Sequence, residues 1–199
     1  MRPSVLTQEQ ATVAGSLIAR AFHHEGGANY LFPDPTERAR FMPAYFGSMV
    51  RLGMQIGTVE GIGNPLVGVA VWAAPSVEAA SGEAAHGDDL PEDVSGWPLP
   101  AQERLRNLHQ HLDAMHSQLI DEPHWQLLFL GIDAGQQGRG LGGQFIAPRL
   151  AAIDAAGLPC TLQTFDARNL PFYERNGFHT ARESKLPGTD VKVWDMRRG

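Results

Sequence analysis

The run Gln137-Gly138-Arg139-Gly140-Leu141-Gly142 sets three glycines at alternate positions beside a cation. A turn of this kind, following a strand and opening a helix, directs several backbone N–H groups without intrahelical partners at one spot near the positive end of the helix. That spot suits a phosphate. Glycine at 138, 140 and 142 admits backbone angles closed to other residues and lets a ligand approach closely, while Arg139 adds charge. A plain tight turn is the bland alternative. Two other phosphate loops do not fit the pattern. No Lys-Ser/Thr ending follows, as a nucleoside triphosphate loop requires. The turn also lies two-thirds of the way along the chain, with Thr161 to Thr164 where a dinucleotide-binding unit would carry its acidic residue.

Two other sets of side chains could do chemistry. His109, Asp113 and His116 recur at intervals of four and three, which puts them on one side of a helix where three metal ligands could converge. A solvated helix flank accounts for them equally, no cysteine or fourth ligand is near, and the expectation is that no metal binds. The single cysteine, Cys160, sits in an apolar run and reads as a buried structural thiol. Alone it forms no intrachain disulfide and gives no sign of an oxidising compartment.

The elements that must position these groups follow from periodicity. A short strand around Ser4 to Leu6 leads into a capping box at Thr7 and Gln10, and Val13, Leu17, Ile18 and Ala21 continue it as a helix over about 8–22. Gly26, Gly27, Ala28 and Asn29 break that helix, leaving Tyr30 and Phe32 on a loop. Pro33-Asp34-Pro35-Thr36 opens a second helix carrying Phe41, Tyr45, Met49 and Leu52. Residues 54–74 read as a hairpin turning at Gly61 to Pro65, and 75–100 as an irregular connection. Leu105, Leu108, Leu112, Met115 and Leu119 form the apolar stripe of an amphipathic helix stopped by Pro123. A near-continuous apolar strand from His124 to Ile132, the Gly-rich turn, a helix to Ala156 and a strand at Cys160 to Thr164 then make a unit that builds a parallel strand pair. Pro148 should kink the helix of that unit near Gln144. The chain from Phe178 onward closes the sheet.

Composition bounds the rest. With 199 residues, 43% hydrophobic and 19% charged, the chain can bury a sizeable core and reads as a single domain over 1–199. A net charge of −6 lacks the basic footprint of a nucleic-acid binder. No stretch reaches the length that spans a bilayer and no leader pattern opens the chain, so the expected location is cytoplasmic.

In its place after the apolar strand, the turn resembles the Gln/Arg-x-x-Gly-x-Gly/Ala motif of the GNAT N-acetyltransferases, with Gln137, Gly140 and Gly142 as its fixed positions. The run Asn169-Leu170-Pro171-Phe172-Tyr173-Glu174-Arg175-Asn176-Gly177-Phe178 resembles that family's second cofactor-facing helix and following strand, at the expected distance. Within the family, Ala70-Val71-Trp72, Ser76-Val77-Glu78-Ala79 and the run from Asn169 to Arg175 are most similar to the puromycin N-acetyltransferases and their relatives. Only the last 75 residues match specifically.

The resemblance implies an α/β fold: a GNAT-type twisted mixed sheet of six to seven strands, helices on both faces and a splayed central parallel pair. It implies acetyl transfer from acetyl-coenzyme A, with no metal, to an amine of a small molecule such as an antibiotic or other amino metabolite, by a monomer or homodimer. A non-catalytic acyl-coenzyme A sensor, and acetylation of a protein N-terminus or lysine, stay open. The coenzyme would be held by Leu130, Gly131 and Ile132 as a strand edge, by Gln137, Gly138, Arg139, Gly140, Leu141, Gly142 and Gly143 around its pyrophosphate, and by Asn169, Phe172, Tyr173 and Asn176. Tyr173 stands where the family places a proton donor to the coenzyme's sulfur. Glu122 and His124 stand at the start of the central strand, where related enzymes carry a base. Tyr30, Trp72, Met115, His116 and Trp125 are the expected acceptor-pocket residues.

Overall fold

β-Branched and apolar residues at alternate positions shape the first half of the sheet. In the computed structural model, which describes residues 2–75 and 92–199, they form β2 (Gly57–Ile62) and β3 (Gly68–Ala73), an antiparallel hairpin with the short β1 (Ser4–Val5) on its outer edge. β3 pairs antiparallel with β4 (Trp125–Ile132), and β4 pairs parallel with β5 (Cys160–Thr164). β7 (Lys192–Arg198) and β6 (His179–Lys185) complete a seven-stranded sheet of order β1-β2-β3-β4-β5-β7-β6.

Two irregularities in β4 open a cleft. The β3–β4 register shifts between Val71 and Trp72, which face Phe129 and Leu127, so Leu128 is an extra residue that bends the strand. The parallel ladder with β5 covers only Trp125, Gln126 and Leu127. Residues 128–132 then run on without a partner from β5, and the two strands part like a V.

Helices cover both faces, and β3 shows the alternation. Val69 and Val71 face a core shared with α1 (Ala11–Ala21), α3 (Pro35–Ile56) and α4 (Leu99–Leu119), whereas Ala70 and Trp72 face a second core shared with α5 (Leu141–Ala155) and α6 (Leu170–Arg175). α1 lies close on α3 because Gly15 has no Cβ; one there would stand 2.3 Å from the Gly47 nitrogen. The Gln10 side chain accepts from the Thr7 N–H at 3.0 Å, as the capping pattern anticipates.

Two elements depart from the sequence reading. Gly26 to Asn29 does not stay open but forms the short helix α2 (Gly26–Leu31), which carries Tyr30. α4 begins at Leu99, inside the stretch read as irregular connection, with Pro100 tolerated in its first turn. α5 runs through Pro148 to Ala155 as one helix. The connection read over 75–100 falls mostly outside the described residues, as does the run Ser76 to Ala79. No helix among the described residues is long and apolar enough to cross a membrane.

Candidate functional site

The V between β4 and β5 holds a cleft of about 810 Å³ that passes through the sheet. Its outer half is built from backbone. The Gln137 side chain donates to the Ile132 carbonyl at 2.9 Å and ties the loop to the end of β4, while Asp133 accepts from the Gly135 N–H at 3.1 Å. Gly138 and Gly140 then take φ of 74° and 73°, a region that costs other residues about 1–2 kcal/mol. Gly140 is the N-cap of α5 and brings no side chain to it, so the helix opens on the cleft with its first amides uncapped. Gly142 lets the Phe172 ring close behind; a Cβ there would stand 3.2 Å from it.

Of the expected coenzyme residues, the structure gathers Leu130, Ile132, Gln137, Gly138, Gly140, Leu141, Gly142, Asn169, Phe172 and Tyr173 around this one cleft. Four others lie outside its lining. The Arg139 guanidinium turns back to the Gln136 side chain at 3.2 Å, and Arg20, Arg168 and Arg175 line the cleft instead. Gly131 faces α1, where a Cβ would meet Leu17, Ile18 and Ala21, so its bareness serves helix packing. Gly143 backs onto Asn176, whose amide donates to the Phe172 carbonyl at 2.8 Å and closes the end of α6.

The inner half contains an acid that sequence reasoning missed. Glu25 follows α1 and is held by Asn169, whose amide nitrogen lies 3.1 Å from Glu25 Oε1 and 3.1 Å from Thr164 Oγ1. Asn169 therefore braces Glu25 instead of capping α6 with its side chain. Burial pushes the Glu25 carboxyl up to about 7, against the lowering effect of the Asn169 hydrogen bond. Tyr173 shares the cleft with it, and burial first, then the Glu25 charge, pushes its phenol above the ordinary tyrosine range. A lone Glu before two glycines carries no motif. Its one signal was the Gly26-Gly27 pair, which lies flat on Phe165 and sets the chain close enough for Glu25 to reach Asn169.

The expected base and acceptor residues sit elsewhere, mostly because the paired end of β4 is the closed end of the V. Glu122 is exposed and paired with Arg197 at 2.8 Å. His124 is buried against His116, with their Nε2 atoms 2.9 Å apart, and burial holds its pKa below the usual value. Trp125 lies on the opposite face, 5.3 Å beneath the Arg149 guanidinium. Trp72 is wholly buried in the second core. Met115 is buried and takes the Ser184 hydroxyl, one turn past Leu112, which is the α4 residue that reaches the cleft. Tyr30 packs on the first core, outside the cleft lining. His109 bonds the Tyr45 hydroxyl at 3.1 Å, and no group of three metal-ligand side chains converges among the described residues. In place of the expected residues, Phe22, Leu112, Leu128, Phe129 and Phe165 wall the inner half, with Gln126 and Gln163 between them.

No family model matches the chain. An uncharacterized N-acetyltransferase of Schizosaccharomyces pombe is 34% identical over 73 residues, which take in 37% of this chain and 30% of that protein's length. Among solved structures, a Drosophila melanogaster polyamine N-acetyltransferase superposes with a TM-score of 0.65 at 13% identity, over 98% of this chain and 97% of that one. The PaiA N-acetyltransferase of Thermoplasma acidophilum, solved in complex with coenzyme A, superposes with a TM-score of 0.57 at 10% identity, over 99% of this chain and 97% of that one. The fold is thus the GNAT acetyltransferase fold that the two sequence motifs anticipate.

Proposed function

With the GNAT fold as premise, we propose that this chain transfers an acetyl group from acetyl-coenzyme A to the amine of a small molecule bound at the same time. The observation that carries this reading is the cleft itself, which joins an uncapped helix start at one end to a half-buried acid and a buried phenol at the other. A coenzyme A complex in one protein of this fold and a polyamine acceptor in another support the two ligands.

The residues present fit the coenzyme. Amides at the start of α5, with Gln137, Gly138, Gly140, Leu141 and Gly142, would hold its pyrophosphate. The unpaired edge of β4 at residues 128–132 offers N–H and C=O groups to its amides. The coenzyme supplies the acetyl group as an activated thioester.

The chain's own groups then move protons. An alkylamine is mostly protonated near neutral pH and attacks only after losing its proton. Glu25 titrates near neutrality, so it is a fraction ionised where it must attract the ammonium and then accept the proton from nitrogen. Tyr173, kept protonated by burial, stands to donate to the departing sulfur. Asn169 holds Glu25 in line through the whole cycle.

Isothermal titration with acetyl-coenzyme A, followed by turnover with aminonucleosides, aminoglycosides, polyamines and arylalkylamines, tests the reading. The expected outcome is binding plus acetylation of at least one class of amine. A folded protein that does not bind the coenzyme ends the proposal. Binding without turnover of any amine, with thioester hydrolysis indifferent to Tyr173→Phe, would instead make the chain a sensor.

A further inference from the structure

Gln163 and Asp195 have no part in the proton traffic, yet Gln163 faces the inner half of the cleft. Its amide nitrogen has two hydrogens and uses both on the protein, one on the Leu112 carbonyl at 3.0 Å and one on Asp195 Oδ1 at 2.8 Å. A backbone carbonyl only accepts, so the Leu112 contact fixes which end of the amide is nitrogen, whatever the protonation of Asp195.

Asp195 is wholly buried on β7, directly across the ladder from Gln163. A buried carboxyl is costly unless it is hydrogen-bonded, and the bond from Gln163 is what Asp195 has on Oδ1. The pair therefore locks itself. The polar atom left for Gln163 to present is its carbonyl oxygen, which accepts and cannot donate. Phe22, Leu112, Phe129 and Phe165 share the inner half with it and offer apolar contact, and Gln126 is the other amide in that wall.

We propose that Gln163, locked by Asp195 and the Leu112 carbonyl, is the specificity-determining residue of the acceptor pocket, selecting amines that carry a second hydrogen-bond donor, a hydroxyl or N–H, away from the reacting nitrogen. Purely hydrocarbon amines leave its carbonyl unmet when they displace water from the cleft. Amines bearing an ether or carboxylate at that place set acceptor against acceptor, so free amino acids are poor substrates. This inference rests on the acetyl-transfer reading and deepens it. Asp195 acts as a positioning residue, through Gln163.

The test is a series of linear amino alcohols of about two to six carbons, each matched with the alkylamine and the methyl ether of equal length. Turnover is read as kcat/KM, and binding is read by titration into the coenzyme A complex. The wild type should favour the hydroxylated member by about threefold to tenfold at one chain length or two adjacent ones, the worth of one net hydrogen bond. Gln163→Met should flatten that ratio. Asp195→Asn, whose carbonyl still accepts from Gln163, should keep it, and Asp195→Leu should lower it. A merely structural role would lower Tm in these variants and leave the ratio alone. Equal turnover of all three members by the wild type overturns the inference and spares the acetyl-transfer reading. Preferential binding of the amino alcohol without any acetylation does the reverse. Neither binding nor turnover of any member overturns the inference and leaves the acetyl-transfer reading to the wider panel of amines.

Discussion

The two halves of the cleft are made in opposite ways. The outer half is backbone drawn from one short stretch, with left-handed glycines at 138 and 140 and the bare start of α5. The inner half is side chains drawn from distant places: Glu25 meets Asn169 across 144 positions of sequence, and Gln163 meets Asp195 across 32. A phosphate is recognised alike in many contexts by amides, so one local geometry serves. An acceptor is recognised by what the fold happens to bring together.

The sharpest way to separate the halves is Glu25→Gln. The amide oxygen can still accept from Asn169, so coenzyme affinity should stay within about twofold, while kcat/KM for the amine falls roughly 10²- to 10⁴-fold. Wild-type kcat/KM should rise with pH through about 7, and the variant should lose that step. Equal activity in both proteins would remove Glu25 from the chemistry. Stability gives an independent reading. The carboxyl titrates at about 7 when folded and near 4.5 when unfolded, so between those values the folded chain binds more proton. Wild-type stability is therefore full below about pH 4.5 and declines as pH rises through 7, by on the order of 3 kcal/mol at most. The glutamine variant has no such decline, and denaturant unfolding at about pH 5 and about pH 8 should show the two proteins diverging.

Tyr173→Phe comes next, at the border of the two halves. The ring keeps its packing on Phe172 and Phe178. Loss of the hydroxyl should lower kcat by about a hundredfold with KM for the amine little changed. A fall in coenzyme affinity instead would place Tyr173 with the binding residues.

Gly140→Ala addresses the outer half alone. An alanine held at φ 73° costs about 1–2 kcal/mol, so coenzyme Kd should rise about tenfold while the amine KM holds. Gly157→Ala, at φ 66° past the far end of α5, imposes the same strain away from the cleft. It should lower Tm alike and leave Kd untouched. Matching affinity losses in both would mean that α5 is merely destabilised.

This contrast also explains what could be read before the structure. The strand-turn-helix unit and the Asn169 to Phe178 run place ten of the coenzyme-side residues around the cleft, because their geometry is set by neighbours in sequence. Glu122 and His124, read as flanking the start of β4, lie outside the cleft lining, since periodicity says nothing about where β4 leaves β5; the extra residue Leu128 and the three-residue ladder decide that. Trp72 lies outside the cleft lining for a related reason. Alternation shows that a strand has two faces without saying which one meets the ligand, and Trp72 went to the second core. Glu25 had no legible role because its environment comes from Asn169, Thr164 and Phe165, all on later elements.

The smallest expected effect tests how that environment is assembled. A Cβ on Gly27 would lie 3.2 Å from the Phe165 ring, so Gly27→Ala asks α2 to move off the ring by a few tenths of an ångström. Alanine also favours helix by up to about 1 kcal/mol, which offsets the crowding, so Tm should hardly change. Glu25, the residue just before the two glycines, would be carried away from Asn169, and even a small misplacement of a proton acceptor is felt in the rate. The expected outcome is a twofold to fivefold loss in kcat/KM for the amine, with coenzyme Kd and Tm at wild-type values. If the rate stays and Tm drops, the glycine pair serves only packing, and the distance between Glu25 and Asn169 is set from the β5 side of the cleft.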